Sequence, residues 1–244
     1  MQLKIDILLE EPLVLPINYQ HILQAIIYTN IEDGNGLSFL YHEQGALYEK
    51  RKYKLFTFGA LHGKYKVIDK RITFYEQMNF EVRALDEYFL FQLQKNLIKN
   101  GITFGDRVIK TLQVQLLNFS VETDTINIYM DSPICVYETK ENGFTNYFEP
   151  WSDDFVNAVS ENFVRKYYAE YDELPNSTIW LEPLVINKND KYITRYKNIH
   201  ICGWKGKYQL TGEPEYLDFL YQTGLGSKNA QGFGMYRIDK REHR

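Results

Sequence analysis

Two hydrophobic periods succeed one another along this chain in a fixed order, and the order is run through twice. Apolar residues at every second position mark half-buried strands, and apolar residues three or four apart mark helices packed on one side. The first half opens with a strand carrying Leu3, Ile5 and Ile7. A helix follows from Tyr19 to Ile31, with Asn18 as its expected cap and Leu23, Ile26 and Ile27 facing inward. After the loop IEDGNG, a short helical turn over 37–43 leads into a strand around KLFTFGAL, 54–61. KYKVIDKRITFYEQ reads as a β-hairpin. A helix over 85–99 stops at Gly101, a C′ glycine, and DRVIKTLQVQLL closes the half with a strand. The second half runs through TINIYMDSPICVYET, a helix over 153–171, the strands TIWLEPLVIN and NIHICGWKGKYQL, a helix over 214–223 opened by Pro214, and a last strand with Phe233, Met235, Tyr236 and Ile238.

Each half therefore reads β-α-β-β-α-β. The predicted fold is α+β, two tandem ferredoxin-like (RRM-like) domains with antiparallel sheets and helices on one face. The expected domains are 1–120 and 121–244, joined near NFSVETD, 118–124. The halves share no obvious residue-level repeat. Two such sheets side by side leave a cleft suited to a long ligand.

Composition narrows the classes of function. A hydrophobic content of 44% supplies a core, and no apolar run reaches the roughly 20 residues that span a bilayer, so no membrane partner is expected. The N-terminal MQLKIDILLEEP carries acids where a signal peptide carries positive charge, so a cytoplasmic protein is expected. Cys135 and Cys202 stand alone and read as small apolar residues. The net charge of −4 hides a segregation: residues 50–71 carry +7 and residues 188–207 carry +5, leaving −16 elsewhere. A chain so divided can present one basic face to nucleic acid, although a charge run taken singly is more often solvated surface.

The stretch TGLGSKNAQGFGMYRI, 223–238, places glycines in two pairs, Gly224 with Gly226 and Gly232 with Gly234, around the polar run SKNAQ. A dinucleotide fingerprint needs a strand before the glycines and a helix after, the reverse of the order here. No Lys-Ser or Lys-Thr follows the second pair, so it is no P-loop either. On glycines alone, a structural turn and a backbone-binding loop are equally good readings.

No H-E-x-x-H, paired-cysteine pattern, EF-hand loop or D-x-D-type cluster is present, so neither a metal nor a cofactor is expected. Catalysis would rest on side-chain acids, bases and cations. The best constellation lies in residues 25–58, where Tyr28, His42 and Lys54 can return to one end of a β-α-β unit. Such a trio can cleave RNA by attack of the ribose 2′-OH on the adjacent phosphate, leaving a 2′,3′-cyclic phosphate and a 5′-OH. His42 would move the proton, Lys54 would stabilise charge on the phosphorane, and Tyr28 would orient the 2′-OH. From spacing alone, a lone His is more often structural than catalytic.

The segments LPINYQHILQAIIY, LYHEQG and YKLFTFGAL, with the signature G-h-G-x5-G-h-G in GLGSKNAQGFGM, resemble the CRISPR-associated repeat-RNA endoribonucleases (Cas family six, in the repeat-associated RNA-binding superfamily). The resemblance spans nearly the whole chain. It implies a tandem ferredoxin-like fold, metal-independent cleavage of precursor RNA within repeats, and CRISPR repeat RNA as partner. Other effector-complex subunits are further partners it implies, in a monomer or homodimer. Tyr28, His42 and Lys54 match the triad of those members that have one. HEQG aligns without a gap, whereas ALYEKRKY offers Lys50, Lys52 and Lys54, of which only Lys54 directly precedes LFTF.

The resemblance also implies that Gly224, Gly226, Gly232 and Gly234 let backbone N–H groups and Lys228 approach RNA phosphates. Lys188, Arg195 and Lys205 are further RNA-binding candidates in the second basic run. Trp204 is the expected stacking residue, Trp151 and Trp180 read as core, and His21, His62 and His200 as packed or solvated. A non-catalytic RNA-binding subunit of the same fold is the first rival function, and a ferredoxin-like protein-interaction or small-ligand module the second.

Overall fold

The computed structural model describes residues 1–32, 45–49, 51–196 and 199–239. Strand β1 (Gln2–Leu8) buries Leu3, Ile5 and Ile7 and exposes the residues between them to a greater degree, as its period of two demands. After β2 (Leu13–Pro16), helix α1 (Gln20–Asn30) packs Leu23, Ile26 and Ile27 into the first core. Its N-cap is Tyr19, with no side-chain cap bond; Asn18 instead offers its carbonyl oxygen to His21 Nδ1 at 2.8 Å. The helical turn expected over 37–43 lies outside the described residues.

Next come β3 (Ala46–Tyr48), β4 (Arg51–Tyr53), β5 (Phe56–Phe58), β6 (His62–Ile68) and the long β7 (Arg71–Ala84). The β6–β7 turn is tight, and both of its central residues, Asp69 and Lys70, take positive φ. Helix α2 (Glu87–Asn100) is capped by Asp86 and stops at Gly101, φ +82°. The ribbon β8 (Ile102–Phe104) with β9 (Arg107–Ile109) leads to β10 (Leu112–Leu117). Strand β7 is the spine of this sheet. It pairs with β1 and β2 along one edge and with β5 and β6 along the other, and β10 lies outside β1.

The second sheet forms from β11 (Thr125–Met130), β14 (Trp180–Val185), β17 (Lys207–Thr211) and β18 (Tyr236–Ile238), in the order β14-β17-β11-β18. Between them come β12 (Tyr137–Thr139), β13 (Thr145–Tyr147), helix α3 (Asp153–Tyr171), β15 (Lys191–Tyr196), β16 (Ile199–Trp204) and helix α4 (Pro214–Thr223). Both sheets place their four principal strands in the sequence fourth, first, third, second, with antiparallel pairing throughout. That is the ferredoxin-like arrangement, repeated in tandem. Among the described residues, no helix is long and apolar enough to cross a membrane.

Several strands are shorter than periodicity predicts, because their ends bond outside the ladder or a glycine breaks them. KLFTFGAL stays in the ladder only to Phe58; Ala60 N–H donates instead to Asp131 Oδ2 at 3.2 Å. The last strand begins at Tyr236, since the Phe233 carbonyl accepts from Thr57 Oγ1 (3.1 Å) and Met235 N–H donates to Ser132 Oγ (2.9 Å). NIHICGWKGKYQL breaks at Gly206, φ +110°, into β16 and β17.

An ionic network joins the halves. Arg83 on β7 is 1% exposed; its Nη1 donates to the Tyr236 carbonyl at 2.7 Å and its guanidinium lies 3.7 Å from the Tyr221 ring centre. Glu81 receives Arg83 Nη2 at 3.2 Å on one oxygen and Arg237 Nη1 at 3.0 Å on the other. Arg237 Nε and His62 Nε2 both reach Asp131 Oδ1, at 3.0 and 2.6 Å. Burial raises the Asp131 carboxyl, but the His62 hydrogen bond and the Arg237 charge outweigh it and hold the group below its ordinary value.

Breaking one partner of a buried ion pair strands the other. Glu81→Ala should therefore destabilise the protein by about 3 kcal/mol, seen as a lowered urea midpoint at neutral pH. The Asp131 contribution is present above the unfolded carboxylate pKa and is lost as pH falls through the lower folded value. Asp131→Asn should accordingly flatten the acid limb of the stability profile; an unchanged limb would count against the network.

Candidate active site

Tyr28 and Lys54 meet. Tyr28 sits one turn after Gln24 on α1 and packs edge-on against Phe56, with ring centres 5.8 Å apart. Lys54, two residues before Phe56, places Nζ 5.4 Å from the centre of the Tyr28 ring. Both residues are half-buried.

The short β3–β4 hairpin that precedes Lys54 leaves its own domain. Tyr48 packs edge-on against Tyr168 of α3 at 5.4 Å, and Tyr53 and Leu55 join the second core. This crossing sets Arg51, Lys52 and Lys54 opposite the glycine loop and closes a cavity of about 360 Å³. Gln24, Tyr137, Asn162, Lys166 and residues 226–231 supply the other walls. Among the described residues, its charged lining consists of Arg51, Lys52, Lys54, Lys166 and Lys228, without a carboxylate. A concave surface lined by one sign of charge concentrates anions.

The four loop glycines are all buried: Gly224 and Gly234 abut Asn229 of the loop itself, Gly226 abuts the 134–136 segment at the cavity wall, and Gly232 abuts Phe58. Gly224 N–H donates to Leu220 O, Gly232 N–H to Asn229 O, and Gly234 N–H to Pro133 O, at 2.7, 3.0 and 2.9 Å. Gly234 has φ +78°, and a Cβ there would overlap the Leu225 carbonyl oxygen, so no other residue fits. The side chain at the cavity is Lys228, in the left-handed region at φ +63°, with Nζ 5.0 Å from the Tyr137 ring centre.

Behind the loop, Lys166 of α3 is 2% exposed. Its Nζ donates to the Gly224 carbonyl, to Asn229 Oδ1 at 3.4 Å and to Thr223 Oγ1 at 3.5 Å. Burial pulls its pKa from the ordinary lysine value down to about 7. Sequence reasoning passed over this residue, although a signal exists. Val159, Asn162, Phe163 and Lys166 follow helical spacing on one face, so two polar residues interrupt an apolar stripe.

Other expected residues fall elsewhere. His42 and Lys50 lie outside the described residues. Lys188, Arg195 and Lys205 are not in the cavity wall; Lys188 and Arg195 are exposed and Lys205 half-buried around β15 and β16. The tryptophans reverse their predicted roles. Trp204 is 3% exposed, because strand alternation turns it inward against Trp151 (4.9 Å between ring centres). Trp151 and Trp180 are 58% and 56% exposed. His62 serves Asp131 in the interdomain network, and His200 lies exposed on β16.

The fold thus sets two ferredoxin-like units around a cationic cavity at a glycine-rich loop. The family model described as CRISPR associated protein Cas6, C-terminal, matches residues 117–238, half of the chain, and the chain belongs to this family. It is 25% identical to CRISPR-associated endoribonuclease Cas6 1 of Methanocaldococcus jannaschii, over 96% of this chain and 91% of that protein. It is 23% identical to CRISPR-associated endoribonuclease Cas6 of Pyrococcus furiosus, over 92% and 83%. A solved Cas6-related structure from Pyrococcus furiosus superposes with a TM-score of 0.81 at 18% identity, covering 99% of both chains.

The depressed Lys166 pKa has a fixed sign. Between about pH 7 and the ordinary lysine value, the unfolded chain binds a proton that the folded chain has released, so stability rises with pH there. The thermal midpoint of the wild type should climb relative to that of Lys166→Met between pH 7 and 9. The gain is worth up to roughly 1.4 kcal/mol per pH unit. Parallel profiles would mean that Lys166 titrates normally.

Proposed function

We propose that the protein is an endoribonuclease that cuts CRISPR precursor RNA within its repeats, without a metal ion, in the cavity beside Tyr28 and Lys54. The observation that carries this reading is the pairing of Tyr28 with Lys54 at the rim of a cavity whose charged lining is cationic. The names of the relatives in Methanocaldococcus jannaschii and Pyrococcus furiosus support the reaction class.

In this mechanism Tyr28 orients the ribose 2′-OH and His42 moves the proton. The 2′ oxygen attacks the adjacent phosphorus, the P–O5′ bond breaks, and the leaving 5′ oxygen gains a proton. The products are a 2′,3′-cyclic phosphate and a 5′-OH. Lys54 stabilises the negative charge that accumulates on the phosphorane oxygens. Lys228, Arg51 and Lys52 hold flanking phosphates, and Lys188, Arg195 and Lys205 extend the RNA path over the β15–β16 hairpin. The loop glycines contribute by shaping the turn that presents Lys228.

Incubation with the host's repeat RNA in EDTA tests the reading directly. Cleavage should persist, with a cyclic phosphate and a 5′-OH at the new ends. His42→Ala should slow cutting about 10²–10⁴-fold with little change in affinity, the usual worth of a positioned acid or base. A single 2′-deoxy substitution upstream of the cut should block cleavage and spare binding. Activity abolished by EDTA and restored by Mg²⁺ would overturn the mechanism, and tight binding with no cutting would make the chain an RNA-binding subunit.

A further inference from the structure

Helix α3 lays Phe155, Val159 and Phe163 on the second core, yet the same face carries Asn162 and Lys166, 5% and 2% exposed. Neither turns toward the sheet. Both reach the glycine loop: Asn162 Nδ2 donates to Ser227 Oγ at 3.3 Å, and Lys166 makes the three contacts given above.

The acceptors around Lys166 match its ammonium form, which the lowered pKa of about 7 confines to neutral and acid pH. Thr223 Oγ1 spends its own proton on the Phe219 carbonyl at 2.9 Å, and Asn229 Nδ2 spends its two on Leu225 O and Phe233 O at 3.0 and 3.1 Å. Thr223 Oγ1, Asn229 Oδ1 and the Gly224 carbonyl are then left to accept, three oxygens for three N–H bonds. An apolar side chain of similar volume would avoid the desolvation cost but leave these three buried acceptors unpaired. What the lysine does secure is Asn229, the side chain that spans the loop from Leu225 to Phe233. Gly224 and Gly234 leave the space for it, as a Cβ on either would crowd Asn229 Nδ2. Lys228, the residue just before Asn229, points its amine into the cavity, with no carboxylate paired to it among the described residues.

We propose that Lys166 is a positioning residue for RNA capture: by fixing Asn229 it holds the 227–229 turn in the one shape that presents Lys228 to a phosphate. Asn162 is a second tether of the same turn, through Ser227. The inference rests on the RNA-cutting reading of the cavity and adds to it a control point that is almost fully buried in the cavity wall.

The test is a double-mutant cycle on the binding of repeat RNA carrying a 2′-deoxy nucleotide at the cut. Lys228→Ala should weaken binding about tenfold, the worth of one charge-assisted contact, and lower the salt slope by about one phosphate. Lys166→Met should do nearly the same although it lies behind the loop, and the double variant should be no worse than the weaker-binding single. A general loss of folding would lower the bound fraction without this coupling to Lys228. If folded Lys166→Met keeps wild-type affinity and salt slope, or if the double variant multiplies the two losses, the proposal is overturned. Should Lys166→Met not fold, Asn162→Ala is read by the same cycle and the same two outcomes. Failure of the wild type itself to bind the RNA, or of Lys228→Ala to matter, would instead sink the reading of the cavity and this proposal with it.

Discussion

The buried bridge from Glu81 through Arg237 to Asp131 is the constraint on which the rest of this molecule depends. Taking charges out of water is expensive, and the cost is offset only where each group meets its partners at bonding distance. Here Glu81 and Arg83 come from the first sheet, and Asp131 and Arg237 from the second. The network is complete in one docking of the two sheets. Gly59 marks how close that docking is, because a Cβ at this position would overlap Asp131 Oδ2.

Once the sheets are fixed, the glycine loop has a defined seat. It is wedged between the halves: Ala230 packs in the first core and its carbonyl accepts from Gln24, Leu225 packs in the second core, and the Phe233 carbonyl takes Thr57. Its glycines are used where backbone passes backbone or takes positive φ. The cationic lining of the cavity is made of side chains, with Lys228 on one wall and Arg51, Lys52 and Lys54 on the other. Neither domain alone contains both walls. The cavity exists because the β3–β4 hairpin of one half packs on α3 of the other.

Much of the fold was legible because its signals are local. The inward stripe of α1, the strand alternation of Leu3, Ile5 and Ile7, the C′ glycine at position 101 and the helix opened by Pro214 each follow from residues within a turn or two of one another. The misreadings share a cause as well. Asn18 has a capping side chain by composition, yet its carbonyl meets His21 and no side-chain cap forms. Trp204 lies in a basic segment and looks exposed, but its strand turns it toward Trp151. KLFTFGAL and the segment after Phe233 look longer as strands than they are, because their ends bond to the opposite half. Apart from His21, three residues from Asn18, none of these partners is near in sequence.

By itself the sequence determined the repeated order of strands and helices, the glycine pairs with Lys228 between them, and the residues Tyr28, His42 and Lys54 as candidates for chemistry. Periodicity and turn chemistry act over a few residues, so they survive in a linear reading. Only the tertiary structure decided that Tyr28 and Lys54 stand 5.4 Å apart, that His62 belongs to an interdomain ion network, and that a buried lysine on α3 holds the loop. Those facts depend on contacts between residues as many as 156 positions apart, as in Arg237 with Glu81. Such contacts are set by how two sheets exclude water from between them, which no local pattern encodes.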